Sequence, residues 1–325
     1  MVNAQTENIT KIQSNNIVEV FIELIRVARP IHWVKNFSIF AALIFSGNLF
    51  VELYWQKVLF AFLSFGLASS AIYIFNDIAD APFDRLHPIK KFRPIAAKRL
   101  PILVAIATMG GFALLALLLA RELNNLFFLS VSTYLSLQAL YSLGLKNLPI
   151  IDILIIAAGF ILRVYGGAFV IDAHLSVWFL LCVISVALFL ASGKRRAELG
   201  AISKGSTRKS LTKYTKELLN SYVTMFGSAA WLSWALFTFF ESPTPQTRVW
   251  LFLAEISRTT TISKLLMVTI PIVIFGIMRY QALIFENRSE APEKLFLTDK
   301  ALVGSGLLWT GLVIWILYGG VTSFV

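Results

Sequence analysis

The chain has 325 residues, of which 57% are hydrophobic and only 14% are Asp, Glu, Lys or Arg. Since soluble domains carry about 25% charged residues, this composition excludes an ordinary water-soluble enzyme. The 29 basic side chains outnumber the 18 acidic ones, which gives a formal charge of +11 and indicates nucleic acid, an anionic membrane face or a phosphorylated substrate as the partner.

Residues 1–35 are predicted to form a polar tail followed by an amphipathic helix at the membrane interface. Met1–Asn16 lacks the apolar core of a signal peptide. The apolar residues that follow recur at helical spacing: Ile17, Phe21, Leu24, Ile25 and Ala28. A helix with one apolar face lies in the plane of the interface, and Arg29–Pro30 is expected to end it.

Nine segments within residues 36–325 are apolar enough to cross a membrane, which takes about 20 residues each. Seven contain no charged side chain: Asn36–Val51, Val58–Asn76, Leu100–Ala120, Leu123–Leu145, Ala173–Gly193, Leu218–Phe240 and Ala301–Val325. Two contain charge: Ile150–Ile171 (with Asp152 and Arg163) and Leu265–Phe285 (with Arg279). The sequence therefore predicts an all-α, polytopic membrane protein in which residues 36–325 form one domain of nine transmembrane helices.

The basic residues predict the orientation of this domain. With nine spans, 22 Lys and Arg side chains flank one side of the membrane and 5 flank the other, while Arg163 and Arg279 lie within spans. Because the basic loops of membrane proteins stay inside, we expect the N-terminus and the loops Asn76–Arg99 and Gly193–Glu217 to be cytoplasmic. The C-terminus is then outside, and the membrane is the plasma (inner) membrane of the cell.

An acidic motif follows the second predicted span. Asp77, Asp80 and Asp84 are spaced i, i+3 and i+7, so a continuing helix would place all three on one face beside Asn76. Grouped carboxylates repel one another unless a cation lies among them, and Mg²⁺ prefers hard oxygen ligands together with substrate phosphates. We interpret the three Asp residues as catalytic metal ligands; a solvated helix end is the alternative.

Basic residues placed to bind the other oxygens of a polyphosphate follow this motif and recur along the chain. They are Lys35, Lys90, Lys91, Arg93, Lys146, Arg163, Lys194 and Arg195. Anchoring to anionic lipids is the alternative for the loop residues. Asp152 is left open between a structural salt bridge and a role in function. Nucleic acid is not expected as a partner, because the cations lie in short loops beside the membrane.

The stretch Asn76–Asp84 resembles the first Asp-rich motif of the UbiA prenyltransferase superfamily, and the predicted span layout resembles its fold. Further stretches resemble the decaprenyl-phosphate phosphoribosyltransferase branch of that superfamily. They are Arg29–Asn36, His87–Ala96, Tyr141–Lys146, Asp152 with Gly159–Arg163, Ser192–Leu199 and Pro292–Leu295.

This resemblance implies a UbiA-like helical bundle with its active site on the cytoplasmic side. It implies Mg²⁺ held by Asn76, Asp77, Asp80 and Asp84, phosphoribosyl pyrophosphate (PRPP) as donor and a polyprenyl phosphate as acceptor. Prenyl-transferring members usually carry a second Asp-rich motif, but in the loop Gly193–Glu217 the sole acid before Glu217 is Glu198. More cations and fewer acids suit a reaction among three phosphate groups.

Two alternatives remain at this point. One is a prenyltransferase that uses a polyprenyl diphosphate donor, and the other is a transporter or lipid-binding membrane protein without enzyme activity. A homo-oligomer is left open, as are the chain length of the lipid and which cation binds which phosphate. A place in cell envelope biogenesis is implied by the resemblance alone.

Overall fold

The computed structural model describes residues 19–200, 211–241, 262–286, 295 and 298–319, and the elements within these ranges are helices without a strand. The polar tail, most of the loop Gly193–Glu217 after residue 200, and the stretch Pro292–Leu295 apart from Leu295 lie outside the described residues. The predicted all-α class is confirmed.

The α-helices are numbered in chain order. Helix α1 covers residues 19–28. The others are α2 (Phe40–Phe45), α3 (Glu52–Asp84), α4 (Ile102–Leu123), α5 (Asn125–Leu143), α6 (Ile151–Val170), α7 (Val177–Gly200), α8 (Lys216–Phe240), α9 (Ile270–Phe285) and α10 (Lys300–Tyr318). Short 3₁₀ helices lie at Pro30–Ile39, Lys90–Phe92, Leu145–Asn147, Leu211–Lys213 and Ile262–Thr269.

Eight helices of the described chain are long and apolar enough to cross a membrane, so the multi-pass character of the protein is confirmed. They are α3 to α8, the segment Lys264–Phe285 and α10. The count of nine is not confirmed. The first predicted span, Asn36–Val51, forms the end of the 3₁₀ helix Pro30–Ile39 and then α2, a helix of 6 residues. Its apolar composition predicted a span, but composition does not specify a continuous α-helix.

The described chain divides into two compact units, of which the first comprises Met1–Phe37 and Phe60–Gly144. Ser70 of α3 fastens the end of α1, because its hydroxyl donates to the Ala28 carbonyl over 2.8 Å and accepts from the Trp33 indole at 3.0 Å. Val27 of α1 is fully buried in the core of this unit, whereas Phe21 and Ile25 are 62% and 47% exposed. The amphipathic helix thus buries one apolar edge and leaves another open.

The second unit comprises Ser38–Leu59 and Leu145–Val325. Helices α7 and α8 pack along each other, and α9 packs against the end of α7. There Gly193 permits close approach, since a Cβ atom on it would lie 2.8 Å from Ile284 Cδ1. In α9, Arg279 makes two hydrogen bonds to Asp299, of 3.1 and 2.7 Å, which lower the pKa of Asp299 to about 2. The charge inside the predicted span is therefore paired.

A backbone contact joins Ile39, the residue before α2, to α6 in this unit. A Cβ atom added to Gly167 would overlap the Ile39 carbonyl oxygen and would lie 2.9 Å from the carbonyl carbon. Glycine is required there because its lack of a side chain lets the two backbones meet.

We predict that Gly167→Ala destabilises the protein, because overpacking a tight contact costs about 1–3 kcal/mol. The measurement is the thermal unfolding midpoint of the purified protein in detergent. Gly311→Ala in α10 is the matched control, since no atom of the described residues outside its own helix backbone lies within 4 Å of its added Cβ. Equal midpoints for the two variants would contradict the assignment of this contact.

Candidate active site

The acidic motif lies on one continuous helix. Helix α3 runs to Asp84, so Asp77, Asp80 and Asp84 share its last two turns, as the spacing predicted. Asp77 and Asp84 are 2% and 4% exposed, and Asp80 is half-buried. A buried carboxylate requires compensating partners, because desolvation penalises its charge.

Two guanidinium groups compensate the buried carboxylates. Arg29 Nη2 donates to both oxygens of Asp77, at 2.6 and 2.7 Å. Arg93 Nη1 bridges the two acids, at 3.0 Å from Asp77 Oδ1 and 2.6 Å from Asp84 Oδ2. The structure therefore assembles two metal-ligand candidates, one predicted phosphate-binding cation and Arg29 into one cluster, which we call the Asp77 cluster.

Arg29 was missed as a site residue in the sequence. Its place beside Pro30 favoured a helix-ending role, and its backbone does leave α1 in the left-handed region, with a φ of 51°. The same turn brings its guanidinium to 5.4 Å from the centre of the Tyr73 ring of α3. Arg29 does lie in the stretch Arg29–Asn36, which resembles the family. However, 48 residues separate Arg29 from Asp77, and the sequence alone does not indicate that the two side chains pair.

The loop after α3 holds Arg93 in place. His87 Nδ1 accepts hydrogen bonds from the backbone N–H groups of Ile89 and Lys90, at 3.1 and 3.3 Å. The 3₁₀ turn Lys90–Phe92 follows, and the Arg93 N–H donates to the Lys90 carbonyl at 2.9 Å. Lys90 is half-buried, whereas Lys91 is exposed with its ammonium 5.1 Å from the Phe92 ring.

The donor set suits a hard cation. Asn76 and the three Asp residues of α3 offer oxygen ligands, although no three acidic, His or Cys side chains of the described residues converge on one metal position. Mg²⁺ commonly binds through one or two carboxylates and completes its shell with water and substrate phosphates. These residues therefore fit an ion that arrives together with a diphosphate, in exchange for part of the guanidinium pairing.

The second unit holds another charged cluster at the end of α7. Asp152 and Arg195 are both 0% exposed, and Arg195 Nε lies 3.4 Å from Asp152 Oδ2. Arg195 Nη1 also pairs with Glu198, whose side chain is 20% exposed. Arg195 is therefore paired with an acid on both sides. Asp152, which the sequence left open, thus takes part in a buried ion pair.

Tyr214 completes this cluster. Its hydroxyl donates to Asp152 Oδ1 at 2.7 Å and accepts from the Ile150 N–H at 2.6 Å. Burial raises the pKa of the Tyr214 phenol, and the adjacent Asp152 carboxylate raises it further. The phenol therefore stays protonated and remains a donor. Sequence reasoning missed this role, because a tyrosine beside a membrane is usually an interfacial residue.

The other predicted cations are placed by their own helices. Arg163 is 5% exposed, donates to the Gly159 carbonyl one turn earlier at 2.6 Å, and lies 5.7 Å from the Phe160 ring. Lys35 and Lys146 are half-buried in 3₁₀ segments, and Lys194 is half-buried beside Arg195. Their assignment to substrate phosphates stays a prediction.

Comparison with known proteins identifies the family. The UbiA prenyltransferase family model matches residues 36–198. The chain is 33% identical over 296 residues to the decaprenyl-phosphate phosphoribosyltransferase of Mycolicibacterium smegmatis, covering 89% of this chain and 91% of that protein. It is 33% identical over 302 residues to the protein of the same name from Corynebacterium glutamicum, covering 91% and 86%.

A solved structure shows the same fold. The UbiA homolog from Archaeoglobus fulgidus bound to GPP and Mg²⁺ superposes with a TM-score of 0.65 at 17% identity, covering 90% of this chain and 98% of that one. The fold and the sequence comparisons agree, and the chain belongs to the UbiA prenyltransferase family.

Proposed function

We propose that the protein is an integral membrane transferase that moves the 5-phosphoribosyl group of PRPP to a polyprenyl phosphate of decaprenyl type and releases pyrophosphate. The observation that carries the proposal is the Asp77 cluster. Its carboxylates are candidate ligands for a cation, and the guanidinium groups that pair with them are candidate donors to phosphate. The relatives of this name, which match over most of their length, support the substrate assignment.

In this proposal Mg²⁺ would be held by four residues of α3: Asn76, Asp77, Asp80 and Asp84. When bound, the ion would neutralise negative charge on the leaving diphosphate. Arg29 and Arg93 hold the Asp77 and Asp84 carboxylates in fixed orientations. A guanidinium has five N–H donors, so each arginine can keep a carboxylate and still donate to a phosphate oxygen. The cluster would thus bind the diphosphate through both kinds of group.

The remaining phosphates require cations. The candidates in the first unit are Lys35, Lys90, Lys91 and Arg93, and those in the second unit are Lys146, Arg163, Lys194 and Arg195. A lipid phosphate is already an anionic nucleophile near neutral pH, so its attack on C1 of the ribose needs no general base. The C1–O bond to the diphosphate breaks on the opposite face as the new C1–O bond forms, which inverts the configuration at C1.

The location also belongs to the proposal. We infer that the protein lies in the plasma (inner) membrane with its N-terminus and both charged loops in the cytoplasm and its C-terminus outside. The distribution of 22 against 5 basic side chains supports this orientation. A cytoplasmic site has access to a soluble sugar phosphate donor, while the polyprenyl chain of the acceptor stays in the bilayer.

Prenyl transfer is the second candidate, because the solved neighbour of the same fold carries GPP with Mg²⁺. The sequence of the loop Gly193–Glu217 disfavours it, since Glu198 is the sole acid there before Glu217. The two candidate functions therefore differ in the donor substrate, which is PRPP in the first and a polyprenyl diphosphate in the second.

We predict Mg²⁺-dependent transfer of label from PRPP, radiolabelled in the ribose, to polyprenyl phosphate by the purified protein. The measurement is label in the organic phase, with and without EDTA. Transfer from a polyprenyl diphosphate to an aromatic acceptor, with none from PRPP, would reject the proposal in favour of prenyl transfer. Absence of transfer from either donor would indicate a non-enzymatic membrane protein.

We predict that Asp77→Asn and Asp80→Asn each lower kcat by about 100-fold or more, because loss of a carboxylate ligand weakens binding of the Mg²⁺ that neutralises the leaving diphosphate. Glu122→Gln is the matched control, since it neutralises an exposed carboxylate on α4 of the same unit. Near-normal kcat in both Asp variants at saturating Mg²⁺ would exclude the metal assignment.

We predict that Arg29→Lys lowers kcat/KM for PRPP by about 10- to 100-fold. Hydrogen bonds to charged groups contribute about 1.5–3 kcal/mol each, and an ammonium does not reproduce the paired bonds to Asp77. Arg26→Lys is the control, because Arg26 is largely exposed and pairs with Glu23 outside the cluster. Equal kcat/KM values for the two variants would remove Arg29 from the site.

A further inference from the structure

Tyr214 packs between three helices of the second unit and binds the start of one of them through its hydroxyl. It belongs to the core cluster that includes Ile153 of α6, Ala191 of α7 and Leu219 of α8, and it is 5% exposed. The hydroxyl contacts Asp152 in the first turn of α6 and the backbone N–H of Ile150 just before that helix. The ring therefore packs like a core residue, while its polar end organises the start of α6.

The backbone conformation of Ile150 indicates that contacts from neighbouring residues fix the start of α6. Ile150 has a φ of 69°, which is rare for a β-branched residue and costs about 1–3 kcal/mol. Such a conformation persists where neighbouring contacts fix it. The hydrogen bond of 2.6 Å from the Ile150 N–H to the Tyr214 hydroxyl is one such contact. It fixes the backbone two residues before Asp152.

The contact with Asp152 orients the guanidinium group of Arg195, with Nε toward Asp152 and Nη1 toward Glu198. Asp152 uses Oδ1 for Tyr214 and Oδ2 for the Nε edge of Arg195. The Nη1 atom of Arg195 points to Glu198, the more exposed of its two acidic partners. Asp152 has no exposed surface, so it acts through Arg195 rather than by touching a substrate.

We propose that Tyr214 and Asp152 are positioning residues that orient Arg195 of α7, so that a substrate phosphate can replace Glu198 at its Nη1 edge. The inference rests on the proposed function and deepens it, because it assigns a role to two residues outside the metal-ligand set. Lys194, adjacent in the chain and half-buried, is held by the same end of α7.

Tyr214→Phe tests the proposal, since it removes the hydroxyl and keeps the buried ring. We expect kcat/KM for PRPP to fall by about 10- to 100-fold, as for loss of supporting groups around other sites. The thermal midpoint should fall by a few degrees at most. Asp152→Asn should give a similar loss, and the double variant should be no worse than the poorer single one, because coupled residues are not additive.

Tyr222→Phe is the matched control, because this ring packs at the edge of the same cluster. A kcat/KM for Tyr214→Phe within twofold of the wild type overturns the proposal. So does a loss of activity that only parallels the thermal midpoint, as a purely structural role would give. Equal kinetic losses for Tyr222→Phe also overturn it.

A second measurement separates this inference from the proposed function. The increase in thermal midpoint caused by inorganic phosphate in the absence of Mg²⁺ reports binding of a phosphate group without turnover and without the metal of the Asp77 cluster. If the wild type does not use PRPP, the proposed function fails, yet a shift present in the wild type and reduced in Tyr214→Phe still supports the positioning role. A shift that is equal in both proteins, or absent from the wild type, overturns it.

Discussion

A carboxylate buried at the end of a membrane helix needs an opposite charge, and this constraint organises both units of the structure. Asp77 and Asp84 of α3 are held by Arg29 and Arg93, and Asp152 of α6 is held by Arg195. Removing one partner of such a pair would leave an uncompensated buried charge, which is among the most destabilising changes in a protein. The chain segments that supply the arginines are consequently fixed to the helices that supply the acids.

The same pairing explains how a site of this composition stays ordered before substrate arrives. Without Arg93, which bridges them, the Asp77 and Asp84 carboxylates would repel each other across two helical turns, and their orientation would depend on a bound cation. With it, the oxygens are already aligned, and the proposed metal with its diphosphate would exchange one set of charge contacts for another. Binding of the substrate would then replace hydrogen bonds between arginine and aspartate, and it would not require a loop to become ordered.

Hydropathy alone predicted most of the helices, because a membrane helix satisfies its backbone within one apolar segment. It did not specify the conformation of Asn36–Val51, because composition cannot distinguish a continuous α-helix from a 3₁₀ segment followed by a helix of 6 residues. The acidic motif was also predictable, since its spacing is a helical period. Arg29 and Tyr214 were not, because each acts on a residue 48 or 62 positions away in the sequence.

The absent second Asp-rich motif has a physical counterpart in the second unit. Asp152 and Glu198 lie near the end of α7, and both are engaged by Arg195 rather than grouped with each other. They offer a divalent metal fewer ligands than the three acids and the amide of Asn76 on α3. The unit instead keeps Lys194, Arg195 and Arg196 within three consecutive residues. This balance of charge fits the proposed phosphate-binding role of α7 better than a second metal site, and it agrees with a donor that brings more phosphate groups than a prenyl diphosphate does.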